Sequence, residues 1–157
     1  MMTRSESLST SIGLLILRLG VGGFLLSHGV GKLRMLLAGD FTSLGNPIGI
    51  GNVLSLVLVT MAEFLCALLV ILGLGTRLAA IPVVISMSVA AFVAHAKDPW
   101  SSETAAMAFF SGASKTWFSK EPALIYLFCF LALAFTGAGA LSVDGWLARR
   151  RGAQAVA

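Results

Sequence analysis

Residues 14–33 read LLILRLGVGGFLLSHGVGKL, an apolar run of helical length that decides the fold class. At a rise of 1.5 Å per residue, about 20 such residues cross the roughly 30 Å hydrocarbon core of a bilayer. The run contains one arginine, Arg18, and ends with His28 and Lys32 one helical turn apart. Because an arginine in lipid needs a partner, the question that this run raises is which groups meet the helix.

The composition of the whole chain also indicates a membrane protein. The 157 residues are 57% hydrophobic and 11% charged, with a mean hydropathy of +0.93. A soluble domain carries roughly 25% charged residues, so this chain has less than half of the usual charge for a water-facing surface. The basic residues flank apolar runs rather than forming one patch, which argues against nucleic-acid binding. The expected surroundings are a lipid bilayer.

The order of apolar stretches predicts an all-α fold, a four-transmembrane-helix bundle in a single membrane domain over residues 1–157. Residues 1–10 are expected to form a polar tail. A loop rich in glycine is expected between the first two spans, over residues 32–51. Residues 98–120 are polar overall but carry five aromatic side chains, which predicts a short amphipathic segment along the membrane interface. The predicted spans are residues 12–31, 52–74, 78–96 and 122–141.

An even number of spans places both termini on one side of the membrane. The basic residues outside the spans divide evenly between the two sides, five on each. The Arg149–Arg151 triplet lies close to the last span, however, and the opposite loops carry more acidic residues. The positive-inside rule then favours cytoplasmic termini.

Arg18 and Glu63 are the ionisable groups that lie deepest in the predicted spans. A charge at the bilayer centre costs about 2.5–3.5 kcal/mol on insertion scales, and an ion pair would offset much of that cost. Arg18 lies about four residues from the middle of its span, roughly 5 Å, which its long side chain can cover. The sequence therefore predicts an Arg18–Glu63 pair, either a catalytic proton relay or an inert lock between two helices. Glu63 could alternatively be protonated and only hydrogen-bonded.

A second predicted site lies near the side of the membrane opposite the termini. His28 and His95 lie near the ends of the first and third spans, which run in the same direction, and Lys32 lies beside them. Two histidines at matched depth suggest a shared binding site for a polar head group, although a lone histidine at a helix end is commonly a hydrogen-bonding residue. Haem ligation by the pair is conceivable, but nothing else indicates iron and no metal site is predicted.

Small residues in the first span predict a packing face. Gly23, Ser27 and Gly31 are spaced four apart, which is the pattern that lets two membrane helices approach closely. This pattern indicates packing rather than chemistry.

Short motifs in a fixed order resemble those of the DoxX family of small four-helix membrane proteins. The first is Leu17-Arg18-Leu19 with His28-Gly29-Val30-Gly31-Lys32-Leu33, and the second is Glu63 with the residues 72–80. The last two are residues 121–124 and 137–144, so the resemblance covers roughly residues 12–147. It implies a bacterial-type inner-membrane protein linked to quinone-dependent oxidoreductase systems, including thiosulfate:quinone oxidoreductase, in which related subunits work with partner proteins.

The residues and the resemblance together predict an integral membrane subunit of a quinone-linked oxidoreductase system, with a quinone bound inside the helix bundle. Arg18 and Glu63 would be catalytic, while His28, Lys32 and His95 would bind the quinone head group. No flavin, nicotinamide or metal motif is seen, so any other electron carrier would belong to a partner redox subunit. The alternative function is a non-enzymatic membrane anchor or assembly factor. A small-solute transporter that acts as a homo-oligomer is a third possibility.

Overall fold

The computed structural model describes residues 8–154, without the side chains of residues 152–154. Residues 1–7, which include most of the predicted polar tail, and residues 155–157 lie outside that range. The described residues contain helices and no strand, which confirms the all-α class. The helices are, in order, α1 Leu8–Ala38, α2 Asn52–Leu72, α3 Thr76–Ala94, α4 Ser102–Phe110, α5 Glu121–Thr136 and α6 Val143–Gln154.

Three of these helices, α1 to α3, are long and apolar enough to cross a bilayer, and α5 is a shorter apolar helix of 16 residues. Their outward faces carry large apolar side chains such as Phe24, Leu78 and Phe128, each more than half exposed. Exposed apolar side chains on this scale would be unfavourable in water and are expected where helices face lipid. The chain is therefore a helical, multi-pass membrane protein.

The helix ends differ from the predicted spans, and glycines terminate three of the helices. α1 continues to Ala38, so the first part of the predicted loop 32–51 is helical. It stops where Gly39 adopts a φ of 72°, a left-handed conformation that glycine adopts without a Cβ clash. Gly73 ends α2 in the same way, and α5 stops before Gly137 rather than at residue 141.

The best-packed part of the core lies between α3 and α5. Apolar residues recur there every three or four positions, as one face of a helix requires. The buried residues of this shared face are Ala80, Val83, Met87 and Ala91 on α3 and Ala123, Leu127, Phe130 and Leu133 on α5. Alanines on both helices let the backbones approach, and Phe130 is fully buried between them.

α1 packs antiparallel to α2 through two glycines. A Cβ at Gly29 would collide with the carbonyl group of Glu63, and a Cβ at Gly22 would lie 2.6 Å from the side chain of Ile71. By contrast, a Cβ at Gly23 or Gly31 would meet nothing within 4 Å in the described chain. The predicted packing face of α1 is therefore wrong for contacts within the chain, and the neighbouring face makes the close contact.

The predicted interfacial segment, residues 98–120, contains α4 and the loops on both sides of it. The Ser101 hydroxyl accepts a hydrogen bond from the Thr104 N–H at 3.2 Å and so caps the first turn of α4. Exposed aromatic side chains lie on both sides of the helix, among them Trp100 and Trp117. Tryptophan is enriched where protein meets the head-group region. The interfacial location of this segment stays a prediction.

We expect Gly29→Ala to destabilise the protein, because the added methyl group would overlap helical backbone at Glu63 that cannot move alone. Overpacking of this kind costs about 1–3 kcal/mol. The midpoint of thermal unfolding in detergent micelles, followed by circular dichroism, measures the loss. Gly31→Ala is the matched control and should be neutral or slightly stabilising, since it only raises helix propensity. Equal midpoints for the two variants would contradict the close contact.

Candidate functional site

A cavity of about 390 Å³ lies between α2, α3 and the loop that joins α1 to α2. We call it the α2–α3 cavity. Most of its wall is apolar, and polar groups come from Lys32, Ser55, Glu63, Ser86 and His95. Leu58 of α2 and Ile85 of α3 line the cavity and are both more than half exposed, so it opens on the outer surface between these helices. An apolar cavity with a few polar groups is the usual form of a small-molecule site.

Both π-helical stretches within residues 8–154 border this cavity. The first, Met61–Cys66 within α2, contributes Ala62 and Glu63 to the wall. The second, Ala90–Ala94 at the end of α3, leads directly to His95, whose N–H donates to the Ala90 carbonyl at 2.9 Å. π-Helical turns are rare and occur often at functional sites. The backbone thus departs from α-helical geometry where the acidic and imidazole side chains enter the cavity wall.

Glu63 forms an ion pair with Lys32. The Lys32 Nζ lies 2.6 Å from the Glu63 Oε2, and the two side chains are 20% and 6% exposed. Lys32 lies one helical turn after Gly29, the glycine that brings α1 against the backbone of Glu63. The close contact at Gly29 therefore places the lysine within reach of the carboxylate.

The predicted pair between Arg18 and Glu63 is wrong. Arg18 lies eleven residues before Gly29, which is roughly 16 Å along the axis of α1. The prediction assumed that the middles of the two spans lie side by side. The glycine contacts instead place Glu63 beside Gly29 and leave Arg18 near the other end of α2.

Arg18 caps the end of α2. The buried guanidinium donates to the carbonyl oxygens of Val70 at 3.4 Å, Ile71 at 3.3 Å and Leu141 at 2.6 Å. The last carbonyl groups of a helix have no partner within the helix, and the helix dipole favours a cation beside them. The arginine in the bilayer run is thus satisfied mainly by backbone oxygens rather than by a carboxylate.

Asp144 completes this end of the bundle by capping α3. Its carboxylate accepts hydrogen bonds from the Gly75 N–H at 3.0 Å and the Thr76 N–H at 3.3 Å. Its own N–H donates to the Gly73 carbonyl at 3.0 Å. We call this cluster the Arg18 junction: Arg18, Gly73, Gly75, Leu141 and Asp144. The sequence analysis missed the role of Asp144, and its only signal was a lone acid just after the last apolar run.

The structure brings together some of the predicted head-group residues and separates others. Lys32 and His95 line the α2–α3 cavity with Glu63, whereas His28 is not among its lining residues. The His28 ring meets the Tyr126 ring of α5 edge-on, with the centroids 6.3 Å apart. A histidine close to Lys32 in sequence therefore lies against a different helix.

His95 has a partner that the sequence analysis missed. Its Nδ1 lies 2.6 Å from the Asp98 Oδ2, and its ring lies 5.9 Å from that of Phe118. Since a carboxylate only accepts hydrogen bonds, this contact places the proton on Nδ1 and leaves Nε2 for another group. The signal available in the sequence was the spacing of three residues between the histidine and the aspartate.

We expect a double-mutant cycle to separate the two charged clusters. Lys32→Met and Glu63→Gln should show a coupling energy of about 1–3 kcal/mol, because each removes the partner of the other. Arg18→Met and Glu63→Gln should add within about 0.5 kcal/mol, since the two residues share no partner. Chemical unfolding in mixed micelles measures the free energies. Strong coupling between Arg18 and Glu63 would contradict the register of α1 on α2.

Comparison with known proteins gives one family match. The family model of DoxX matches residues 13–96, which is just over half of the chain and includes both walls of the α2–α3 cavity. No curated protein and no solved structure matches the chain significantly. The family match covers Arg18, Lys32 and Glu63 together with the turn that Arg18 caps. It confirms the resemblance of the motifs that lie within residues 13–96, and the chain therefore belongs to the DoxX family of membrane proteins.

Proposed function

We propose that this protein is an integral membrane subunit of a quinone-linked oxidoreductase system and that the α2–α3 cavity binds a quinone or a similar lipid-soluble molecule. The observation that carries the proposal is an apolar cavity, open on the outer surface, whose wall contains Lys32, Glu63 and His95. A ligand that fits must be mostly apolar and must carry hydrogen-bonding groups at one part. A quinone has both properties.

The residues present fit such a ligand. The cavity volume of about 390 Å³ lies within the usual range of ligand sites. Apolar side chains from both helices, including Val59 and Val89, would cover the ring, and the opening between Leu58 and Ile85 would let an isoprenoid tail remain in lipid. Donors for the carbonyl oxygens are available because a lysine ammonium has three N–H groups and Glu63 occupies one of them.

A bound quinone would carry two electrons to or from a partner redox subunit, together with two protons. The residues of this chain would bind and orient the head group and hold protons near it. Glu63 fixes the Lys32 ammonium in the cavity wall and compensates its charge. Asp98 fixes the His95 ring, so that Nε2 is the nitrogen left to donate or accept. Along α1, Arg18 lies roughly 16 Å from Gly29, the residue that contacts the Glu63 backbone. The role of Arg18 in this proposal is to position helices.

A non-enzymatic membrane anchor or assembly factor for a partner redox protein is the second candidate. The observation that favours it is that the deep charges already have partners within the chain. Lys32 and Glu63 pair with each other, and Arg18 donates to three carbonyl groups. An ion pair of this kind can lock two helices together without any ligand, and a homo-oligomer or a partner subunit would then use the outer faces.

We infer four membrane spans, with α5 as the fourth. Its 16 residues measure about 24 Å, and the apolar residues 137–141 that follow extend the path towards the roughly 30 Å of a bilayer core. Four spans leave both termini on one side. The basic triplet Arg149–Arg151 just after the last span supports a cytoplasmic location for them. A bacterial-type inner membrane is part of the same proposal.

We expect Lys32→Met and His95→Gln each to weaken quinone binding about tenfold, because each removes a hydrogen-bond donor from the cavity wall. His28→Gln is the matched control for the histidine, since His28 lies outside the cavity lining. The measurement is calorimetric titration of the purified full-length protein in micelles with a short-chain ubiquinone or menaquinone analogue.

The affinities of the unaltered protein and the three variants decide between the candidates. Absence of binding to the unaltered protein would contradict the quinone proposal and favour the anchor function. Equal affinities for the protein and for both cavity variants would show that a quinone binds elsewhere. A loss in His28→Gln as large as that in His95→Gln would contradict the assignment of the cavity.

A further inference from the structure

The most strongly basic surface that the proposed quinone site does not use is helix α6. It carries Arg149, Arg150 and Arg151, and all three side chains are exposed. Beyond its first turn, α6 is not packed along any other helix of the described chain. Three adjacent cations on such a helix can form a binding surface for anions if contacts with the rest of the protein hold the helix in one position.

The Arg18 junction fixes that position. Asp144, in the first turn of α6, accepts hydrogen bonds from the N–H groups of Gly75 and Thr76 at the start of α3. Its N–H donates to the Gly73 carbonyl at the end of α2. α2 and α3 are both long enough to cross a bilayer, so their connecting turn lies at a membrane surface. α6 therefore begins at the level of the lipid head groups.

The same contacts separate the charges of α6. The Asp144 carboxylate is directed to the backbone of the α2–α3 turn, where it caps α3. The three arginine side chains are exposed to the surroundings. No other acidic residue occurs between Val143 and Gln154. The exposed charged side chains of α6 are thus all positive.

Two of the arginines are held in place but keep free donors. The Arg150 guanidinium carbon lies 3.9 Å from the centre of the Trp146 ring, and the Arg149 Nη1 donates to the Ala140 carbonyl at 2.9 Å. A guanidinium has five N–H groups in a planar fork that matches a phosphate, so each retains donors for a ligand. Trp146 is itself a residue type that favours the membrane interface.

We propose that α6 binds the phosphate groups of anionic phospholipids beside the Arg18 junction. Each basic residue at a membrane surface strengthens attraction to anionic lipid about fivefold. An acidic protein surface would suit the same charges, but the attachment of α6 to the ends of two spans holds the arginines where lipid phosphates already lie. This inference does not depend on the function of the α2–α3 cavity.

The test compares lipid retention by native mass spectrometry. The full-length protein is titrated in micelles with phosphatidylglycerol and, separately, with phosphatidylcholine. We expect the protein to retain phosphatidylglycerol at least tenfold more tightly, and the triple variant Arg149→Gln, Arg150→Gln, Arg151→Gln to lose that preference. High salt should weaken the preference of the unaltered protein, because salt screens exposed charges.

The matched control removes the same number of positive charges from the other end of the bundle: Arg34→Gln, Lys97→Gln, Lys115→Gln. These side chains are exposed, and the control should keep the preference for phosphatidylglycerol. Equal losses in the two triple variants would overturn the proposal, because net charge alone would then explain the effect. Lack of any preference in the unaltered protein would also overturn it and leave the arginines to an acidic protein partner.

A second variant keeps the test decisive if the triple variant does not fold. Arg151 makes no side-chain hydrogen bond within the described residues, so Arg151→Gln should not disturb the helix. We expect it to weaken phosphatidylglycerol retention about fivefold with an unchanged thermal midpoint. An unchanged affinity in this variant would count against phosphate binding at the end of α6.

Discussion

The contact between Gly29 and the backbone of Glu63 sets the register of α1 against α2, and both charged clusters follow from that register. With Gly29 against Glu63, the next turn of α1 brings Lys32 to the carboxylate, while Arg18 lies opposite the last turn of α2. A shift of one helical turn would move each charge by about 5 Å and leave both without partners. An unpaired charge in lipid is costly. The glycine contact therefore stabilises the protein by placing charges beside their partners as well as by packing.

The two clusters satisfy their charges by different means, and this difference separates their roles. Arg18 is fully buried and donates to backbone carbonyls at the end of α2, so its charge is balanced by the helix dipole and by the nearby Asp144 carboxylate. Lys32 and Glu63 balance each other beside a cavity, where a donor and an acceptor remain available to a ligand. A side chain that caps a helix need not face a cavity, whereas a side chain that binds a ligand must. The cavity pair is accordingly the better candidate for chemistry.

Hydropathy sufficed to predict the helical class, the first three long helices and the fourth apolar helix, because the first three are long and apolar enough to cross a bilayer and the fourth is a continuous apolar run of 16 residues. It did not predict the helix ends, since Gly39, Gly73 and Gly137 stop the helices by adopting positive φ angles inside apolar sequence. The partners of Arg18 were missed because every residue has a backbone carbonyl. A search for side chains of opposite charge cannot identify which carbonyl groups accept from the arginine. His28 and His95 have similar positions in their helices, but whether a side chain faces α5 or the cavity depends on helix rotation, which hydropathy does not determine.

The surroundings of the α2–α3 cavity make its few polar groups more informative than its volume. In water, an open apolar cavity would be unfavourable, and its persistence alone would suggest a ligand. In lipid that inference fails, because acyl chains can fill an apolar opening at little cost. Polar side chains in the same wall are costly there, and Glu63 and Lys32 are retained beside two departures from α-helical geometry. A ligand with an apolar body and a hydrogen-bonding head group accounts for both halves of the wall, whereas an acyl chain accounts only for the apolar half.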